Sequence, residues 1–159
     1  MEDFGAFYAR CKDPVLRAVA VATGSRAAAE DAVAEAFTRA CDRWATVGEH
    51  PNPTAWVLRT ALNAQRSWWR RLTREVPGEV PELPTGVLEV EPLPAMIRDL
   101  VSQLPRRQRE VLALRVLADL PAEETARLLG IAPATVHVHL HRALATLRAG
   151  LPLAERKLP

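Results

Sequence analysis

The sequence predicts an all-α chain made of two small helical domains joined by a flexible acidic linker. Three observations carry that expectation. The apolar residues are mostly Ala, Leu and Val, with only three Phe and one Tyr, a composition suited to short packed helices and poor for a large β-core. Apolar positions recur at helical spacing in both halves. Between the halves, residues 75–94 hold five Pro, five Glu and two Gly with no usable periodicity, which predicts an extended tether. The expected boundaries are therefore 1–74, 75–94, 95–150 and a short tail, 151–159, to which no role is assigned.

A first helix is predicted from Glu2 to about Ala22, with Phe4, Phe7, Val15, Leu16 and Val19 among its apolar residues and Pro14 as a possible break. Gly24 is a stop signal, and Ser25 is suited to cap a second helix that reaches about Trp44. Val33, Phe37, Ala40, Cys41 and Trp44 form its predicted inward stripe, while Asp31, Glu35, Thr38 and Asp42 line the far side. That polar side is either a solvated face or a docking surface. Cys11 and Cys41 read as small core residues, since no CxxC pairing is present and two cysteines alone hold no zinc.

After a polar loop, Thr46 to Asn52, the pair Asn52 and Pro53 opens a third helix in the preferred order of cap and first residue, running to Arg74. Arg59, Asn63, Arg66, Arg70 and Arg74 follow one another at steps of four, three, four and four, so they line one edge, with Trp56 on the same side near the helix start. Such a row either solubilises the helix or tracks the phosphates of a strand whose bases stack on the aromatic ring. Ala61, Trp68 and Leu72 are expected to point the other way.

In the second half a short amphipathic helix is predicted from Pro94 to Gln103, on Met96, Ile97, Leu100 and Val101. From Pro105 to Arg148 the pattern is two short helices leading into a third, with Leu129-Gly130-Ile131-Ala132-Pro133 as the tight corner between the last two. Val136, Leu140, Ala143, Leu144 and Leu147 make the buried stripe of the last helix. The opposite face is centred on Val138 and Arg142, filled out by Ala134, Thr135, His141 and Ala145, and flanked by His137 and His139. A helix so placed suits a major groove. His137 and His141 also stand at a spacing that can bind zinc, but no third ligand is near and the HExxH glutamate is missing, so no metal, cofactor or catalytic residue is expected.

Charge divides the same way: residues 1–74 carry 11 basic and 8 acidic side chains, 75–94 carry none and 5, and 95–159 carry 10 and 6. Two mildly basic halves flanking an acidic bridge suit a polyanionic partner as well as ordinary surface charge. No apolar run approaches membrane-spanning length and the N-terminus lacks a basic-then-apolar leader, so a cytoplasmic protein without membrane insertion is expected.

Two runs add a resemblance. Leu104-Pro-Arg-Arg-Gln-Arg-Glu-Val-Leu-Ala-Leu-Arg115, with Glu123-Glu124-Thr125-Ala126 and Leu140-His-Arg-Ala143, resembles region 4 of bacterial RNA polymerase sigma factors of the extracytoplasmic-function type, and also the output domain of LuxR-type regulators. Ala29 to Ala40, Trp44, Asn52-Pro-Thr-Ala-Trp-Val-Leu-Arg59 and Asn63 are similar to region 2 of the same sigma class, a segment that LuxR-type regulators lack. The resemblance implies a non-enzymatic subunit that binds core RNA polymerase, recognises promoter DNA and helps open it, with an anti-sigma factor as a possible further partner. It implies a polymerase-binding face at Asp31, Glu35 and Arg39. It implies minus-10 contacts from Asn52, Trp56, Arg59, Asn63, Arg66 and Arg70, and minus-35 base contacts from Thr135, His137, Val138, His141 and Arg142. Arg106, Arg107, Arg109 and Arg127 are the implied phosphate contacts. Two departures stand out: Pro121 and Ala132 occupy positions where the family usually opens a helix with Ser or Thr, and histidines and valine replace basic residues in the reading helix. A sigma-like adaptor that holds polymerase without reading DNA is the alternative these departures leave open.

Overall fold

The computed structural model describes the backbone of residues 1–75 and 93–152, and the side chains of residues 1–67 and 93–152. The expected linker lies almost entirely outside the described residues. So do the tail beyond 152 and the side chains of Trp68, Arg70, Leu72 and Arg74. Among the described residues there are only helices and connections, as expected for an all-α chain.

The first helix, α1 (Phe4–Thr23), starts on Asp3, whose carboxylate accepts from the Ala6 amide at 3.4 Å, and ends on Gly24 at φ 78°, whose amide donates to Ala20. It runs through Pro14 without a break. Ser25 caps α2 (Arg26–Asp42) by accepting from Ala28 N at 3.2 Å. The chain then makes a single turn, α3 (Trp44–Val47), where a loop was expected. Asn52 Oδ1 accepts from Ala55 N at 3.1 Å to open α4 (Pro53–Glu75).

Cys41 is exposed, against the expectation of a core position. The buried stripe of α2 is Ala29, Ala32, Val33, Ala36, Phe37 and Ala40. At 100° per residue Cys41 falls about 110° from the centre of that stripe, so the many small alanines, which carry little hydrophobic signal individually, decide which way the helix faces. Trp44 is half-buried and packs its ring on Phe4 and Phe7, at 5.4 and 4.8 Å between centroids. Cys11 is buried, with its sulfur 3.4 Å from Thr54 Oγ1.

The second half comprises α5 (Ala95–Ser102), α6 (Arg106–Leu112), a π-helical turn (Ala113–Leu117), α7 (Ala122–Leu129) and α8 (Pro133–Gly150). Gly130 at φ 67° turns the corner and Pro133 begins α8, while neither Pro121 nor Ala132 gives a side-chain cap. Val136 and Ala143 are fully buried, with Leu140, Leu144 and Leu147 packed against the same core.

The two halves are in contact. α1 packs against α2 and α4 of its own half and also against α6 and the π-helical turn, and α4 touches α7. Buried apolar side chains consequently form one contiguous cluster from Phe7 to Ala143. The consecutive residues Ala18 to Ala22 are each at most 3% exposed. Five consecutive helical positions cover every direction around the axis, so this part of α1 is enclosed on all sides. No helix among the described residues is long and apolar enough to cross a membrane.

Candidate nucleic-acid interface

The outer face of α8 is presented as the sequence predicts. Ala134, His137, Val138, His141, Arg142 and Ala145 are exposed, with Thr135 and His139 half-buried at its borders. Val138, at 45% exposure, is an apolar side chain left in solvent at the centre of the face, and no part of the described chain covers it. Val136 and Ala143 on the far side are fully buried and anchor the helix to the core, so the exposed face has a fixed orientation relative to it.

On α4, Arg59 and Asn63 are exposed, whereas Arg66 is only partly so and turns toward the second half, its Nη2 3.9 Å from Glu110 Oε1. Arg70 lies outside the described side chains. Trp56 is half-buried against the core and lines an open cleft of about 270 Å³ together with His50, Arg59, Glu124, Arg127 and Leu128. The loop before α4 is pinned by His50, whose Nδ1 lies 3.0 Å from the Asn52 amide and 2.9 Å from its carbonyl.

The four arginines expected at phosphates separate into two groups. Arg106 and Arg107 remain accessible although both donate to Glu110 at 3.0 Å, and Arg127 is exposed with a 2.6 Å pair to Glu124. Arg109 is only 8% exposed and sits in the seam between the halves, so in this conformation it is withdrawn from any phosphate. Desolvation is the main reason its guanidinium pKa lies below the ordinary value, with Glu110 opposing and Arg106 adding to the shift. Glu110, 4% exposed, is a residue that the sequence reading did not single out; a carboxylate three and four residues after two arginines on an amphipathic helix was its signal. The apolar run Ala18–Ala22 was the corresponding signal for the seam.

The outer face of α2 exposes Asp31, Glu35 and Arg39, with Glu35 and Arg39 paired to each other. Among the described residues no group of His, Cys, Asp and Glu side chains is arranged to hold a metal ion.

Comparison with known proteins agrees with this layout. Residues 7–75 match the family model for sigma-70 region 2, and residues 95–147 match that for sigma-70 region 4. The RNA polymerase sigma-E factor of Streptomyces coelicolor is 34% identical over 152 residues, covering 94% of this chain and 86% of that one. The corresponding factor of Streptomyces avermitilis is 32% identical over 154 residues, covering 94% and 85%. ShbA of Streptomyces griseus, an ECF RNA polymerase sigma factor, is 44% identical over 77 residues, 45% of this chain and 40% of its own length. In fold, the chain is similar to the sigma factor RpoE of Bartonella quintana, solved in complex with the anti-sigma factor NepR, with a TM-score of 0.71 at 21% identity over 96% of this chain and 99% of that one. The two family models in this order, together with relatives at least 30% identical over most of their length, identify the chain as a member of the RNA polymerase sigma factors of the extracytoplasmic-function type.

Proposed function

We propose that this chain is the dissociable promoter-specificity subunit of a bacterial RNA polymerase, acting in the cytoplasm and catalysing no reaction itself. The exposed face of α2 with Asp31, Glu35 and Arg39 binds the core enzyme. The α4 edge, with Asn52, Trp56, Arg59, Asn63, Arg66 and Arg70, takes the melted minus-10 strand, and α8 reads the minus-35 major groove through Thr135, His137, Val138, His141 and Arg142. Arg106, Arg107 and Arg127 hold phosphates and set register without choosing sequence. Opening the duplex needs no nucleotide hydrolysis if stacking and backbone contacts offset lost pairing, which costs a few kcal/mol per base. An anti-sigma partner, such as the one bound to the Bartonella protein, would act by covering one of these faces.

The observation that supports this reading best is Val138, an exposed apolar residue at the centre of a rigid helical face, matched in chemistry to the thymine methyl group. The experiment is transcription in vitro with purified core polymerase and genomic or library templates. Discrete start sites that require the chain, and that are lost with Arg142→Ala, support it. Polymerase binding without any specific transcript would favour the adaptor reading, to which the uncapped starts of α7 and α8 lend some weight.

A further inference from the structure

We infer that Glu110 is a positioning residue for DNA binding: from beneath the surface it holds Arg106 and Arg107 as a preformed pair of phosphate contacts. The inference rests on the reading of those two arginines as phosphate contacts and names the residue through which they are set in place.

The geometry is a divided carboxylate. Arg106 Nε donates to one oxygen of Glu110 and Arg107 Nη1 donates to the other, each at 3.0 Å. The Glu110 side chain is 5% exposed, whereas those of Arg106 and Arg107 are 64% and 44% exposed. The anion therefore lies below and the two cations stand above it in solvent. A guanidinium carries five N–H donors, so each arginine uses one on Glu110 and has the rest available to a phosphate. Arg66 Nη2, 3.9 Å from the same carboxylate, is a third cation beside it.

Helix stability does not account for this arrangement. α6 begins at Arg106, so both arginines lie in its first turn, where the helix dipole disfavours cations. The acid also follows the bases, which is the weaker order for an ion pair along a helix. A buried carboxylate with its partners is often no more stabilising than apolar side chains of similar volume. In the ion pairs of Glu2, Glu30, Glu35 and Glu124, by contrast, the acid's side chain is at least 25% exposed. What the divided carboxylate does supply is order. A long cationic side chain that moves freely loses rotamer freedom on reaching a phosphate, which lowers affinity by about two- to tenfold for each such side chain. Two arginines fixed on one buried anchor have already lost that freedom during folding.

Charge and positioning predict opposite signs for one substitution. Glu110 is an anion close to where the phosphates bind, so if its charge alone mattered, Glu110→Gln would tighten DNA binding. If it positions the arginines, the same change loosens binding, because the amide oxygen accepts from one guanidinium while the NH2 group faces the other.

The experiment measures promoter binding by fluorescence anisotropy at several salt concentrations, with the full chain assembled on core polymerase beforehand. Glu110→Gln should raise Kd about three- to tenfold, equally for the cognate promoter and for one altered in its minus-35 element, and should lessen the slope of log Kd against log salt by about 1. In a chain carrying Arg106→Ala and Arg107→Ala, which binds more weakly at the outset, Glu110→Gln should change Kd by less than about twofold, since it acts only through those side chains. Circular dichroism checks that each variant keeps its helices. A measurement on the free wild-type chain needs no variant: the Arg106 Nε–H should have an NMR order parameter near the rigid-backbone value of about 0.85, and that of exposed Arg59 a value below about 0.6. Tighter or unaltered binding by Glu110→Gln overturns the proposal, as does an undiminished effect in the double-alanine background or an Arg106 as mobile as Arg59. If the double-alanine chain itself binds promoter with the wild-type Kd and salt slope, the phosphate reading fails and takes this inference with it.

Discussion

Gly24 and Arg109 meet across the seam between the halves, with 3.8 Å separating the arginine Nη2 from where a glycine Cβ would be. The pKa of this guanidinium is pulled down chiefly by desolvation, which outweighs the opposing charge of Glu110.

Arg109→Met should therefore stabilise the protein by about 1 kcal/mol, because a side chain of similar reach fills the space without a desolvated charge. Urea unfolding of the two proteins checks this. The sign in pH follows: a cation whose folded pKa lies below its unfolded value weakens folding at every pH below the folded pKa, and the deficit is relieved only as pH rises through it. For arginine that window is strongly alkaline, so the benefit of Met should be constant between pH 5 and pH 9, and a benefit that varies across that range would contradict the assignment.

Glu2 and Arg10 form a surface pair at 2.7 Å, and the hydrogen bond from Arg10 lowers the Glu2 carboxyl pKa below 4.5. With a depressed folded pKa, the pair's contribution is present above the unfolded value and is lost as pH falls through the folded one. A carboxyl NMR titration should place the Glu2 midpoint below 4.5, and Arg10→Ala should return it toward that value.

Gly130→Ala should destabilise the chain by about 1 kcal/mol. No atom lies within 4 Å of the added methyl, so the loss comes from the left-handed backbone at φ 67° alone. Gly130→Asn, which tolerates that region better, should lose less in the same melting experiment.

Ala132→Ser should gain about 1 kcal/mol, seen as a rise of a few degrees in melting temperature. The backbone there, φ −74° and ψ 149°, already has cap geometry, and only the oxygen is absent.

If α8 reads the minus-35 element, Arg142→Ala should cost about 1–3 kcal/mol of discrimination between the cognate site and a variant at the base pair it reads. Arg107→Ala should instead weaken both sites alike and lessen the salt dependence of binding. Competition gel shifts of polymerase holoenzyme at several salt concentrations separate the two outcomes.

Much of the local structure was legible before any coordinates. Gly24, Ser25, Asn52, Gly130 and Pro133 act through their own backbone and a neighbour three or four residues away, so their signals are local and five helix boundaries fall where they indicate. The orientation of α8 was equally readable, because Val136 and its three leucines, Leu140, Leu144 and Leu147, lie on one side. Cys41 misled because the buried side of α2 is marked by alanines. Arg66 and Arg109 were read as surface cations, and a single helix gives no indication that another helix will cover it.

What the sequence by itself determined is the long helices, the caps at Ser25 and Asn52, the corner at Gly130 and the inward face of α8, since these depend on torsional preference and periodicity within a few turns. The tertiary structure alone decided that α1 serves two halves at once, that Glu110 receives arginines from both, and that Arg109 is buried. The physical reason is that burial and charge pairing are properties of surfaces brought together from residues far apart in the chain, and no local propensity records which surfaces those will be.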